Sequence, residues 1–209
     1  MALPPIQRTT YAQYLMMEEG AELRHEWLDG AVFPMAGGTL DHATRVSNVL
    51  LALGLALRGG PCRVFTGEAR VRVRATGLAT WPDASVVCGP RETHPEDPQA
   101  LTNPRLLVEV LSPSTEVYDR TEKLDHYRQI EALEDVLLVD HRCVRVERWT
   151  RAGRGWTVVV HGPGERLSLG GRSPDHGPVE LDVDAIYAGV DLPPAARAPA
   201  VSRSSAPTA

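Results

Sequence analysis

Much is missing from this 209-residue chain, and each absence narrows what it can be. No run of roughly 18 or more apolar residues occurs, so no membrane-spanning helix is expected. The opening Met1-Ala2-Leu3-Pro4-Pro5 lacks a basic segment followed by an apolar block, which argues against a secretory signal. The three cysteines, Cys62, Cys88 and Cys143, are odd in number and scattered, with no Cys-x-x-Cys pair. They argue against a disulfide scaffold or structural zinc and suit a reducing cytoplasm. Positive charge is not in excess: 22 Lys+Arg against 27 Asp+Glu leave −5 at pH 7. The chain is therefore no bulk binder of nucleic acid, and any such binding must come from a local basic patch. No P-loop, dinucleotide glycine motif, helix-turn-helix or zinc finger occurs, so sequence-specific reading of DNA is unsupported. Ser112 and Ser114 lie beside prolines rather than in a nucleophile elbow, which argues against a serine hydrolase.

What remains is ordinary for a soluble domain, 43% hydrophobic and 23% charged. After a ten-residue leader, a helix is expected from Thr9 or Thr10 to Gly20. Leu23 to Met35, broken at Asp29-Gly30, predicts a β-hairpin, since Asp-Gly favours a tight turn. Ala43, Val46, Leu50, Leu53 and Leu57 recur at helical spacing until Gly59-Gly60. Strands are expected at 62–65, 69–74 and 80–87, then a proline- and charge-rich loop over 88–103. A strand over 105–111 precedes Ser112-Pro113-Ser114-Thr115, whose oxygens can cap a helix running to about Glu131. Strands at 135–140, 144–150 and 156–160 and a short closing helix at Ile186-Tyr187 complete an α/β domain around one mixed sheet over residues 1–192. Residues 193–209 are alanine, proline and serine without periodicity, the composition of a disordered tail.

The chemically informative residue is Glu109. It interrupts Leu106-Leu107-Val108-Glu109-Val110-Leu111, which otherwise reads as a strand buried on both faces. Desolvating a carboxylate there costs several kcal/mol unless a cation or hydrogen bonds compensate. Alternation puts Glu109 on the face of Leu107 and Leu111, with the Val110 carbonyl next along the chain. A second isolated acid, Asp83, follows Pro82 and suits a strand end. Two carboxylates and a carbonyl are the donor set of Mg2+ or Mn2+. The bland alternative pairs Glu109 with a buried arginine and leaves Asp83 capping a turn. Arg70-Val71-Arg72-Val73-Arg74 puts three arginines on one strand face. That face is either solvated or a row of guanidinium groups along a nucleic-acid backbone.

Pro82-Asp83 followed 26 residues later by Glu109 in an apolar strand resembles the PD-(D/E)XK nuclease superfamily. Further segments resemble one bacterial group within it, the Uma2 family: Tyr14-Leu15, His25-Glu26-Trp27-Leu28-Asp29-Gly30, Met35-Ala36-Gly37-Gly38, His42, Trp81-Pro82-Asp83, Glu109-Val110-Leu111-Ser112-Pro113-Ser114-Thr115 and Lys123-x-x-x-Tyr127-Arg128. The resemblance covers roughly residues 10 to 192 and implies a restriction-endonuclease-like mixed sheet flanked by helices. It also implies a Mg2+-dependent (or Mn2+-dependent) nuclease acting on DNA; cutting both strands would need two copies, so a homodimer is an expectation. The superfamily's lysine usually stands two residues after the acid, where this chain has Leu111. The resemblance moves that role to Lys123, which shares a helix face with Asp119 and Tyr127. The contrary reading is a surface Asp119–Lys123 pair of small worth. The resemblance adds Glu26 to Asp83, Glu109 and Val110 as metal ligands; Glu68, which precedes the Arg70 strand, is a further candidate by its position. It makes Asp83, Glu109 and Lys123 catalytic. His42, Arg70, Arg72, Arg74 and Tyr127 are candidate substrate contacts. The rival expectation is a nuclease-fold domain that has lost catalysis and binds nucleic acid or protein in a regulatory role.

Overall fold

The computed structural model describes residues 8–35, 37–170 and 178–193. Helix α1 (Tyr11–Glu18) begins where the sequence places it. Thr10 Oγ1 accepts from the Gln13 N–H, and the Gln13 side chain accepts from the Thr10 N–H, closing a capping box. Strands β1 (His25–Leu28) and β2 (Ala31–Pro34) form the expected hairpin. Its turn enters the left-handed region, with φ of 46° at Asp29 and 89° at Gly30. A Cβ on Gly30 would also stand 2.7 Å from Arg8 Cβ. Gly30→Ala is therefore expected to destabilise the fold by about 1–3 kcal/mol, read as a lowered urea midpoint. An unchanged midpoint would contradict this account of the turn.

Helix α2 (Leu40–Ala56) starts at Thr39, whose side chain accepts from the His42 N–H. Next come β3 (Cys62–Thr66), β4 (Arg70–Arg72), β5 (Ala79–Thr80) and β6 (Ala84–Cys88). The strand expected over 80–87 is thus split at Trp81-Pro82-Asp83, where Pro82 has no N–H to extend a ladder. The segment 88–103, expected as a loop, contains β7 (Thr93–His94) and β8 (Asp97–Leu101). Strand β9 (Leu106–Val110) is buried along its whole length. The helix expected to run to Glu131 is two short ones, α3 (Glu116–Arg120) and α4 (Glu122–Tyr127), broken at Thr121. Thr115 makes no side-chain cap there; Ser112 Oγ instead contacts the hydroxyls of Ser114 and Thr115. Strands β10 (Asp135–Val139), β11 (Val146–Ala152), β12 (Gly155–His161), β13 (Arg166–Leu169) and β14 (Val179–Asp182) lead to α5 (Val183–Ile186).

The single mixed sheet of the sequence reading is, among the described residues, two six-stranded sheets and a two-stranded one. The first runs β2-β1-β5-β4-β8-β7, the second β12-β11-β10-β9-β6-β3, and β13 pairs with β14. In the second, β9 lies parallel to β10 and antiparallel to β6. One face of this sheet, with Ala84, Val86, Val108 and Val110, packs on Val49 and Leu53 of α2 and on α5. The other, with Leu107, Leu111 and Leu138, packs on Leu124 and Tyr127 of α4 and on Val71 and Leu101 of the first sheet. The α/β class with helices flanking the sheets is as expected. The cysteine reading needs correction. The β3–β6 register sets Cys62 directly opposite Cys88, and the two form a disulfide, leaving Cys143 free and exposed. No described helix is long and apolar enough to cross a membrane. The proposed tail lies, past Pro193, outside the described residues.

Candidate functional site

Alternation along β9 does carry Glu109 to the face of Leu107 and Leu111, beneath α4. There its Oε1 meets the Lys123 ammonium at 3.0 Å and accepts a hydrogen bond from the Tyr127 hydroxyl. Lys123 Nζ also lies 3.0 Å from Glu26 Oε1 on β1 and 3.4 Å from Asp119 Oδ1 on α3. Thr80 Oγ1 donates to the same Glu26 oxygen. All four ionisable side chains are buried, none more than 8% exposed. The contrary reading of Asp119–Lys123 as a surface pair is excluded, and the break at Thr121 does not stop the two from meeting.

Three carboxylates around one ammonium leave excess negative charge, and the proton affinities follow. Burial opposes the charge on Lys123, but Glu109, Glu26 and Asp119 hold its pKa well above the ordinary value. Burial also opposes ionisation of Glu26, yet Lys123 and the Thr80 bond outweigh it and the carboxyl is held below its usual range. Glu109 takes the strain: burial first, then the charges of Asp119 and Asp83 against the pull of Lys123, push it up to about 8.

Asp83 sits where the chain crosses from β5 to β6, between the two large sheets. Its Oδ2 accepts the Val110 N–H at 2.7 Å and lies 3.5 Å from His42 Nε2. The imidazole also bonds the Val110 backbone; chiefly through its bond with Asp83, its pKa is raised. Asp83, His42, Val110, Glu26, Glu109 and Lys123 all line one cleft of about 420 Å3. Asp83 thus neither merely caps a turn nor stands apart from Glu109. The donors offered are hard oxygens, two carboxylates and a backbone carbonyl, the partial set that Mg2+ completes with water. Among the described residues, no group of three or more His, Cys, Asp or Glu side chains is arranged to hold a metal. The fit therefore rests on the chemistry of the oxygen donors, Asp83, Glu109 and the Val110 carbonyl, which line the same cleft.

Several expected substrate contacts lie elsewhere. Arg70 is 5% exposed, pairs with buried Asp97 at 2.9 Å, and stacks over the Tyr14 and Trp81 rings. Arg72 is 8% exposed, lies over the Tyr11 and Trp27 rings, and donates to the Gly77 carbonyl. Neither is solvated or able to track a phosphate backbone; Arg74 alone of the three is exposed. Replacing Arg70 by methionine is expected to cost about 3–5 kcal/mol, because Asp97 is left buried with its charge unpaired. Chemical denaturation measures this, and a loss below about 1 kcal/mol would contradict it. Tyr127 is 1% exposed with its hydroxyl engaged on Glu109, so it positions that carboxylate rather than meeting a substrate. Glu68 is exposed, pairs with Arg24, and does not line the cleft.

The pairing of a buried lysine with acids from three separate elements is accompanied by sequence matches. The family model described as "Uma2: Putative restriction endonuclease" matches residues 11–172. This chain belongs to the Uma2 family. Two relatives are uncharacterized proteins of Synechocystis sp. (strain ATCC 27184 / PCC 6803 / Kazusa), slr1290 and sll1609. The first is 32% identical over 187 residues, covering 89% of this chain and 95% of the relative. The second is 32% identical over 151 residues, covering 72% and 85%. A crystal structure described as a putative nuclease belonging to DUF820, from Anabaena variabilis ATCC 29413, superposes with a TM-score of 0.61 at 17% identity, over 80% of this chain and 91% of that one. That likeness establishes the restriction-endonuclease-like fold.

Within this Uma2 chain, three site residues escaped the sequence reading as site residues: Thr80, Asp119 and Tyr118, whose hydroxyl bonds Glu26. One signal was available. Lys123 is the only lysine in the chain, against 21 arginines. Arginine serves wherever a surface cation suffices. A compact ammonium that fits among three carboxylates is where it does not.

Proposed function

We propose that this protein hydrolyses phosphodiester bonds of DNA, with a divalent metal held by Asp83, Glu109 and the Val110 carbonyl and with Glu26 beside them. The carrying observation is the buried Lys123 ammonium clasped by Glu26 and Glu109 in a cleft that Asp83 also lines. A bound Mg2+ or Mn2+ would supply charge to the scissile phosphate and acidify a coordinated water.

The chain's own groups have separable tasks in this reading. Lys123 stays protonated, so it acts as a donor and a fixed positive charge rather than as a base. With its N–H groups held by Glu26, Glu109 and Asp119, it would act through its positive field, stabilising charge growing on the phosphate oxygens. Asp119 and Glu26 set the ammonium's position, and Thr80 and Tyr127 set the two glutamates. His42, favoured in its charged form by Asp83, would donate to a phosphate oxygen. Cutting both strands of a duplex would take two copies.

The test is incubation of purified protein with plasmid and single-stranded DNA in Mg2+, Mn2+ or EDTA, with Asp83→Ala in parallel. Cleavage requiring metal and falling at least about a hundredfold in the variant is expected, since metal assistance is worth several kcal/mol. Cleavage unchanged in Asp83→Ala would overturn the assignment of the site. Absence of both cleavage and calorimetric Mn2+ binding would instead favour a nuclease-fold domain that binds without cutting, which the net charge of −5 permits.

A further inference from the structure

Of the two phenylalanines in the chain, Phe65 packs against the core beside Val71 and Leu107, while Phe33 is 49% exposed. Phe33 lies on β2, the outermost strand of its sheet. In the β1–β2 register it stands directly opposite Glu26. Opposed residues of an antiparallel pair point to the same face, about 5 Å apart at Cβ. The ring is thereby set on the cleft side of the hairpin, next to the carboxylate that grips Lys123, and it lines that cleft with Pro34. The other aromatic groups there are engaged. Trp81 carries the guanidinium groups of Arg24 and Arg70 at 4.9 and 4.6 Å from its ring centre, and the Tyr118 hydroxyl bonds Glu26. Among the described residues, Phe33 has no such ring partner.

The charges of the cleft bear on what the ring would meet. Glu26, Asp83, Glu109, Asp119 and Glu122 outnumber its cations, Lys123 and His42, and Lys123 is fully engaged. Two of the three arginines expected to follow a duplex backbone, Arg70 and Arg72, are inside the protein, and Arg74 does not line the cleft. A duplex, whose affinity rests on many phosphate contacts, finds few here. A base stacked on an aromatic ring gains affinity without them, for any sequence. The cleft volume of about 420 Å3 lies in the range of small-ligand pockets and suits one splayed nucleotide.

We infer that Phe33 is a stacking platform for an unpaired nucleobase, and that the strand admitted to this cleft is single-stranded. The inference rests on the hydrolase reading only in taking nucleic acid as the ligand of the cleft. The test is fluorescence anisotropy in EDTA and in Ca2+ with a labelled oligothymidylate, its duplex with oligoadenylate, and the matching oligouridylate. The proteins are wild type, Phe33→Ala, Phe33→Trp and, as a control outside the cleft, Leu40→Ala, which is 89% exposed in wild type. Tighter binding of either single strand than of the duplex is expected. Phe33→Ala should weaken it by about five- to a hundredfold, Phe33→Trp should retain it with quenching of the new indole, and Leu40→Ala should leave it unchanged. Equal affinity for duplex and single strand, or undiminished single-strand binding by Phe33→Ala, overturns the inference. If plasmid cleavage dependent on Asp83 persists in that event, the hydrolase reading stands alone. Binding through Phe33 without cleavage in Mg2+ or Mn2+ supports the platform and removes the hydrolase.

Discussion

Lys123→Met is expected to cost the folded protein about 3–5 kcal/mol, the range found when one partner of a buried ion pair is deleted. The methionine fills a similar volume, so the loss is electrostatic rather than a cavity. Three carboxylates, each at most 8% exposed, would remain without their shared cation. They would recover part of the loss by taking up protons, so the deficit should be larger at pH 8 than at pH 5. Urea unfolding at the two pH values measures both quantities. Adding Glu26→Gln to Lys123→Met should then restore stability relative to the single variant, the signature of a coupled pair. A single-variant loss below about 1 kcal/mol, independent of pH, would mean that the ammonium does not hold the cluster.

Glu109→Gln should separate chemistry from stability in the opposite direction. The folded carboxyl keeps its proton to about 8, whereas the unfolded one loses it near 4.5. Between those values the native state binds more protons than the unfolded state, so the contribution of Glu109 to stability falls as pH rises through the window. Glutamine resembles the protonated form and removes that slope. The variant should match wild type within about 1 kcal/mol at pH 5 and exceed it at pH 9. Metal-dependent cleavage should nevertheless drop by about a hundred- to ten-thousandfold, because a neutral amide replaces the anionic ligand. Wild-type cleavage and Mn2+ affinity should rise with pH up to about 8 as the proton leaves. A variant that cuts at the wild-type rate, or is less stable at pH 9, would contradict this account of Glu109.

How far the sequence discloses such a site depends on the range of each contact. Glu109 was legible because an acid in an apolar strand is locally anomalous, and two-residue alternation fixed its face. The Asp29-Gly30 turn and the helix start near Thr10 were legible because their determinants lie within four residues. The arginine strand was not. Arg70 and Arg72 alternate with valines like any half-solvated strand, yet their face is covered by Tyr11, Tyr14 and Trp27 from far earlier in the chain. Asp97, which neutralises Arg70, comes from a proline-rich segment that looks like loop. The Cys62–Cys88 bond likewise depends on a β3–β6 register that spacing alone does not reveal. Pro82 could have announced the division into two sheets, since a proline within a strand commonly marks its edge or end.

The placement of Asp83 at the crossing between sheets has an outcome for biosynthesis. Glu26 comes from the first sheet, Glu109 from the second and Lys123 from a helix beyond both. The parallel neighbour that completes the surroundings of Glu109 is not made until Asp135–Val139. Contacts of such long sequence separation form late and slowly. A nascent polypeptide still on the ribosome therefore lacks the assembled acids and their ammonium until most of it has emerged.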